Sequence, residues 1–300
     1  MELKGIFAAA VTPWGPGDRI DEAALWRQVE MLLATGLDGL CVGGTTGESV
    51  RLEAATHERL LRAALEMAAG RVPVLVGAAG ASLDGTLALL HQARGATAAL
   101  VSPPYYFSYG QSELLAFYRE VVQQAKLPVF LYNIPRFTNR LEPATAIALL
   151  TEQVCAGIKD SSGSLEMLEA LGAERRRTPF VFFCGADEYL VRALEMGADG
   201  AVSGIAACAP ELLVSLYRAA RAGDTAAVAQ AQELLMEFIG WLDAFPLPVG
   251  IRLGLEARGI AVGRHAVPLA PETEQRARQF RRWFEEWLPR SAAVSVAGRP

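Results

Sequence analysis

The sequence predicts an α/β fold, a (β/α)8 TIM barrel with a helical extension at its C-terminal end. Three observations predict it. Short β-rich apolar runs alternate with amphipathic helical segments. The alternation repeats eight times at spacings of about 20–35 residues, as a closed parallel barrel requires, whereas an open doubly wound sheet generally has fewer strands and a switch point. The chain has 300 residues, 52% of them hydrophobic and only 20% charged, so it can bury a core of that size.

The runs read as strands span 6–11, 39–42, 72–76, 98–101, 129–132, 156–158, 180–184 and 200–202. Between them, apolar residues recur at helical spacing and end at stop signals. Leu25, Val29, Leu32 and Leu33 share a face that closes at Gly36, and Leu60, Leu61, Leu65 and Met67 share one that closes at Gly70. Ser82 is placed to cap a helix over 83–94 with Gly95 behind it. Pro143 suits the first turn of a later helix, and Gly197 closes the helix that follows Asp187. Past the eighth strand the pattern stays helical from 210 to about 288, including 212–221, 225–242 and 272–287. The expected division is a barrel over 1–208, an extension over 209–290 packed on it, and a loose tail over 291–300, where apolar periodicity stops.

Composition narrows the function. The formal net charge is −5, and the basic runs 174–177 and 276–282 sit among glutamates as solvated helix surfaces, so nucleic acid is not an expected partner. No apolar run approaches the 18 or so residues of a membrane span, and Met1-Glu2-Leu3-Lys4 does not begin a secretion signal. A cytoplasmic protein acting on small molecules is expected. Cys41, Cys155, Cys184 and Cys208 lack metal or redox spacing and read as core thiols. His57, His91 and His265 are scattered; the first two fall in amphipathic helices, where a surface role is expected, and no metal site is indicated.

In a barrel of this kind reactive groups gather at the carboxyl ends of the strands. The chain holds only three lysines, Lys4, Lys126 and Lys159, among 28 basic residues, so arginine is its ordinary carrier of charge. Lys159 ends the sixth strand. Withdrawn from water, a lysine is pushed toward its neutral amine, which attacks carbonyl carbon as arginine cannot. The other reading pairs it with Asp160 or another carboxylate at the barrel mouth. Tyr132 ends the preceding strand on the same rim, either as a proton carrier or as an aromatic plug. The 43–49 stretch, Gly-Gly-Thr-Thr-Gly-Glu-Ser, precedes a helix beginning near Glu53, and its N–H groups can converge on an anion such as a carboxylate. It is neither a phosphate loop nor a dinucleotide turn, so no nucleotide cofactor is indicated, and taken alone it is only a turn.

Gly44-Thr45-Thr46-Gly47-Glu48, Tyr132-Asn133-Ile134-Pro135 and Gly157-Ile158-Lys159-Asp160 together resemble the signature of the dihydrodipicolinate synthase/N-acetylneuraminate lyase family. Pro104-Tyr105-Tyr106, Gly185-Ala186-Asp187, the 200–204 segment and Pro246-Leu247-Pro248 are similar as well, in the same order along nearly the whole chain. The resemblance implies a class I aldolase or lyase with no metal or other cofactor. Lys159 forms a Schiff base with pyruvate or a longer 2-oxo acid, Tyr132 shuttles protons, and Thr46, the second threonine, links it to Tyr106 from a neighbouring subunit. It implies a homo-oligomer, a dimer or tetramer. Gly44, Thr45, Thr46, Gly185 and Ser203 are the expected substrate-binding positions, with Arg136 and Phe137 facing the second substrate, an aldehyde.

One position departs from the family pattern. Dihydrodipicolinate synthases usually carry an arginine two residues after the proline of Tyr-Asn-x-Pro, where it meets the carboxylate of aspartate semialdehyde; here Phe137 stands there and Arg136 is one residue early. On an extended segment that shift turns the side chain to the other face. The expectation is a lyase for a less acidic electrophile, for example a 2-keto-3-deoxy sugar acid aldolase. The alternatives are dihydrodipicolinate synthase itself, with Arg136 or another loop arginine substituting, and a non-catalytic 2-oxo acid sensor.

Overall fold

The computed structural model describes residues 3–297. Eight parallel strands, β1 Gly5–Ala9, β2 Gly39–Val42, β3 Val74–Gly77, β4 Ala98–Val101, β5 Val129–Asn133, β6 Gly157–Asp160, β7 Val181–Cys184 and β8 Gly200–Ser203, close into a barrel in chain order. Seven crossover helices join them: α1 Glu22–Ala34, α2 Ala54–Ala68, α3 Leu83–Gln92, α4 Gln111–Gln124, α5 Pro143–Thr151, α6 Leu165–Arg175 and α7 Leu190–Glu195. The (β/α)8 TIM barrel predicted from the alternation is the fold observed. Its punctuation is chemical: Asp21, Ser82 and Ser164 each accept a backbone N–H from the first turn of their helices, and Pro143 opens α5.

Alternation along each strand sorts side chains between two cores. Ile6, Ala8, Leu40, Val42, Val74 and Val76 pack outward beneath the helices, while Phe7, Cys41, Leu75, Leu100, Phe130, Tyr132 and Phe183 fill the interior. Phe7 and Phe183 meet at 4.9 Å between ring centroids. Such bulky rings fit because Gly39 is bare: a Cβ there would lie inside the Phe7 ring.

Helix α8, Pro210–Ala222, packs on β1 and α7 as the eighth helix of the barrel wall. The extension therefore begins after α8 rather than at the expected residue 209, and comprises α9 Thr225–Leu242, α10 Val249–Ala257 and α11 Pro271–Ala297. Stacked rings weld it together, Phe238 of α9 lying 5.1 Å from Trp287 and 6.0 Å from Phe280 of α11. Helix α9 packs on the turn Asp187–Tyr189 after β7, and α10 on the turn Ile205–Ala207 after β8, which brings the extension to the carboxyl face of the barrel.

Two further expectations are corrected. The segment read as a loose tail continues α11 as far as Ala297, through Pro289; Ser291 is buried and its hydroxyl donates to the Leu288 carbonyl at 2.8 Å. Residues 298–300 of that tail lie outside the described residues. His57 is buried in α2 rather than on the surface, because its ring reaches back to the Gly77 carbonyl at 2.7 Å from Nε2; burial holds its pKa below the ordinary value. The four cysteines are all buried and unpaired. Among the described residues no helix is long and apolar enough to cross a membrane.

Candidate active site

Register partners in a parallel sheet face the same way. Lys159 stands opposite Tyr132 on one side and Phe183 on the other, both interior residues, so it points into the barrel at its carboxyl end. It is only 6% exposed. Its Nζ lies 4.2 Å from the centre of the Tyr132 ring, and among the described residues no carboxylate forms an ion pair with it. Asp160 points to the opposite face, where it accepts from Asn133 Nδ2 at 2.7 Å and from the Ser162 hydroxyl at 2.8 Å. A structural pair between Lys159 and Asp160 is therefore absent. Gly185 makes the room for the lysine: a Cβ there would sit 2.7 Å from Lys159 Cε and against the Ser161 hydroxyl.

Lys159 faces a cavity of about 290 Å3 whose walls include Thr45, Thr46, Tyr132, Arg136, Phe137, Gly185 and Asp187. The Thr45 hydroxyl is 3.1 Å from the Tyr132 hydroxyl. This corrects the expectation that Thr46 makes that link; Thr46 instead faces Gly204, its Oγ1 3.1 Å from where a Cβ would project. Neighbouring threonines point to different sides, and sequence alone does not say which of the two meets a given partner. Tyr106 is 89% exposed, holds a positive φ of 79° and packs edge-on against Phe107, so within one chain it does not reach Tyr132.

Ser203, expected on the substrate, is fully buried and outside the cavity wall; its Oγ accepts the Ala206 N–H at 3.0 Å and so caps the turn after β8. Gly44 lines a second cavity of about 330 Å3, mostly apolar, which shares Thr45, Tyr132, Ile134, Phe137 and Leu247 with the first. The glycine-rich loop also differs from its reading as the foot of a helix. A short helical turn, Ser49–Arg51, separates it from α2, and two of its N–H groups, those of Glu48 and Ser49, are spent on the Thr45 and Gly44 carbonyls.

Arg136 and Phe137 both line the Lys159 cavity. They do not face opposite ways as expected, because the segment is a turn: the N–H groups of Phe137 and Thr138 both bond to the Ile134 carbonyl, and the Arg136 guanidinium lies 5.5 Å from the Phe137 ring. Asp187 is the most perturbed acid of the cavity. It is 9% exposed and its Oδ1 has no partner among the described residues, so desolvation pushes the carboxyl up to about 6 against the opposing pull of Ser203 and Lys159. Cys41, interior and close enough to feel Lys159, is pushed up to about 11 by burial. Among the described residues no cluster of three or more His, Cys, Asp or Glu side chains stands ready to hold a metal ion.

A model of the Dihydrodipicolinate synthetase family matches residues 2–286. The chain belongs to that family. It is 37% identical over 279 residues to a 4-hydroxy-tetrahydrodipicolinate synthase of Xylella fastidiosa, covering 90% of each chain. It is 31% identical over 286 residues to a probable 2-dehydro-3-deoxy-D-pentonate aldolase of Escherichia coli K12, covering 92% of this chain and 94% of the other. Its fold superposes with a TM-score of 0.86, at 29% identity and over 96% of this chain and 99% of the other, on an Escherichia coli K12 prophage protein of the dihydrodipicolinic acid synthase family solved with pyruvate.

As a member of the Dihydrodipicolinate synthetase family the chain adds residues that its motifs did not point to. Ile239, Leu242 and Asp243 of the extension, with Phe245 and Ile251, close one side of the Lys159 cavity beside Leu247 of the Pro246-Leu247-Pro248 motif. Arg252 of α10 is wholly buried and reaches the Glu48 carboxylate at 2.7 Å. The signal for Arg252 lay in the sequence: it is one charge in the apolar run Val249-Gly-Ile-Arg-Leu-Gly-Leu255, and an arginine buried in such a run must have a partner.

Proposed function

We propose that this chain is a Schiff-base aldolase that makes or breaks a carbon–carbon bond next to the carbonyl of pyruvate or a longer 2-oxo acid, with Lys159 as nucleophile and no cofactor. The observation that carries the reading is Lys159 itself: a buried amine in a cavity, facing a tyrosine ring and, among the described residues, paired to no carboxylate. The amine adds to the C2 carbonyl and water leaves, giving an iminium. In the cleavage direction the C4 hydroxyl gives its proton to Tyr132, the C3–C4 bond breaks, its electron pair moves into the iminium as an enamine, and the C4 fragment departs as an aldehyde. Protonation at C3 and hydrolysis return pyruvate and the free lysine. Condensation runs the same steps backward.

Tyr132 carries the protons in this scheme, supported by its hydroxyl lying 3.1 Å from Thr45. The substrate carboxylate is held at Thr45 and Thr46, between Gly44 and Gly185, which orients the 2-oxo group toward Lys159. The barrel supplies the chemistry and the extension one wall of the site. The exposed Tyr106, Phe107 and Tyr109 support a homo-oligomer, dimer or tetramer, formed through this face, with Tyr106 entering the neighbouring site. The four unpaired thiols are in keeping with a reducing cytoplasm.

Phe137 on the cavity wall favours an electrophile without a carboxylate next to it, such as the aldehyde released from a 2-keto-3-deoxy sugar acid. Arg136 on the same wall keeps 4-hydroxy-tetrahydrodipicolinate synthase as the second reading. The test is a retro-aldol screen of 2-keto-3-deoxy acids that detects released pyruvate, run beside a condensation assay with pyruvate and aspartate semialdehyde. Pyruvate release with little condensation is the expected outcome, condensation alone selects the second reading, and neither activity overturns the proposal.

A further inference from the structure

We propose that Arg252, in the C-terminal extension and outside the cavity, is a positioning residue that holds Thr45 against Tyr132 by way of Glu48. The guanidinium is fully buried, and its two Nη atoms serve two pieces of chain. One donates to Glu48 Oε2 at 2.7 Å; the other donates to the carbonyls of Val262, Gly263 and Arg264 at 2.9, 3.0 and 2.9 Å. The arginine thereby pins the loop after α10 to the loop after β2.

Glu48 is the point at which that force enters the site. Its backbone is left-handed, φ 56° and ψ 47°, a conformation that persists in a non-glycine residue only where its surroundings impose it. Its carboxylate also accepts from Trp14 Nε1 at 3.1 Å and from Arg51 Nη1 at 3.2 Å. The Glu48 N–H bonds to the Thr45 carbonyl at 3.0 Å, and the Thr45 hydroxyl lies 3.1 Å from the Tyr132 hydroxyl. Arg252 therefore stands three contacts from the phenol. A lysine carries a single nitrogen and no fork, so it cannot reproduce the four bonds that the two Nη atoms make to the two loops. The extension then acts on the chemistry as well as closing the cavity, since α10 carries both Arg252 and the cavity residue Ile251.

This inference rests on Tyr132 and Thr45 forming the proton path of the proposed aldolase, and its test separates the two ideas. Arg252→Lys and Arg252→Met are made in the full chain and compared with Thr45→Val and with each double variant. Both single variants at Arg252 are expected to trap pyruvate on Lys159 with borohydride as the parent does. Their kcat is expected to fall about 10- to 100-fold, as slight misplacement of a catalytic group does, with KM changing by less than about threefold. In either background Thr45→Val is expected to cost little more. Deuterium uptake in the peptide over 43–48 is expected to rise while the strands stay protected. Unchanged kcat and exchange in a folded Arg252→Met overturn the inference, as does a Thr45→Val loss that multiplies fully with the Arg252 loss. If Arg252→Met does not fold, Arg252→Lys is judged by the same two criteria. If the parent traps no pyruvate, the aldolase reading fails, and exchange over 43–48 alone then decides whether Arg252 holds the loop.

Discussion

Asp187 makes stability depend on pH in a direction opposite to that of most carboxylates. Asp187 lines the Lys159 cavity with one carboxylate oxygen unpartnered among the described residues, and desolvation pushes the carboxyl up to about 6. An unfolded chain releases the same proton near 3.9, a difference of about 2 units or roughly 3 kcal/mol. Between those values the native protein holds more protons than the unfolded chain, so each rise in pH costs the native state. The contribution is whole below about pH 4 and gone above about pH 6. Asp187→Asn keeps the shape and removes the titration. Urea unfolding of both proteins from pH 4 to 8 isolates it, because other groups cancel in the difference. Asp187→Asn is expected to gain roughly 2–3 kcal/mol on the parent between pH 4 and 7, and nothing further above. A difference that stays flat across that window, or moves the other way, shows that the carboxylate is charged in the folded protein and refutes the desolvation argument.

Two further substitutions probe the walls around the lysine. Gly185→Ala pushes a methyl to within 2.7 Å of Lys159 Cε, so turnover is expected to drop at least about 100-fold while circular dichroism and the melting profile change little; near-parent activity contradicts the packing described. Phe137→Arg adds a cation beside the electrophile, and steady-state assays are expected to show aspartate semialdehyde used better, by about tenfold in kcat/KM, than by the parent; an unchanged ratio means that residue 137 does not face that substrate.

The barrel was legible in the sequence because its strands are short apolar runs and its helices end at residues with defined backbone roles, such as Gly36, Gly70 and Gly197, all at positive φ. Lys159 and Tyr132 were legible as strand-end residues, and register places them side by side. What failed had local causes. Arg136 and Phe137, expected on an extended segment, lie in a turn set by the Ile134 carbonyl, and the Ser203 hydroxyl, expected on the substrate, caps a turn. His57 looked like a surface residue because helical periodicity does not reveal that a polar ring has a buried carbonyl to bond. The wall supplied by Ile239, Leu242 and Phe245 depends on how α9 lies over the barrel, a long-range contact that no window of sequence contains.

The proposed aldolase depends on condensation of the Lys159 amine with a 2-oxo acid. Incubation with pyruvate, reduction with borohydride and mass analysis of the intact protein and its peptides test it directly. One reduced pyruvate adduct per chain, on the peptide holding Lys159 and absent from a folded Lys159→Arg variant, is the expected result. No adduct at saturating pyruvate, or an adduct that persists in Lys159→Arg, contradicts it.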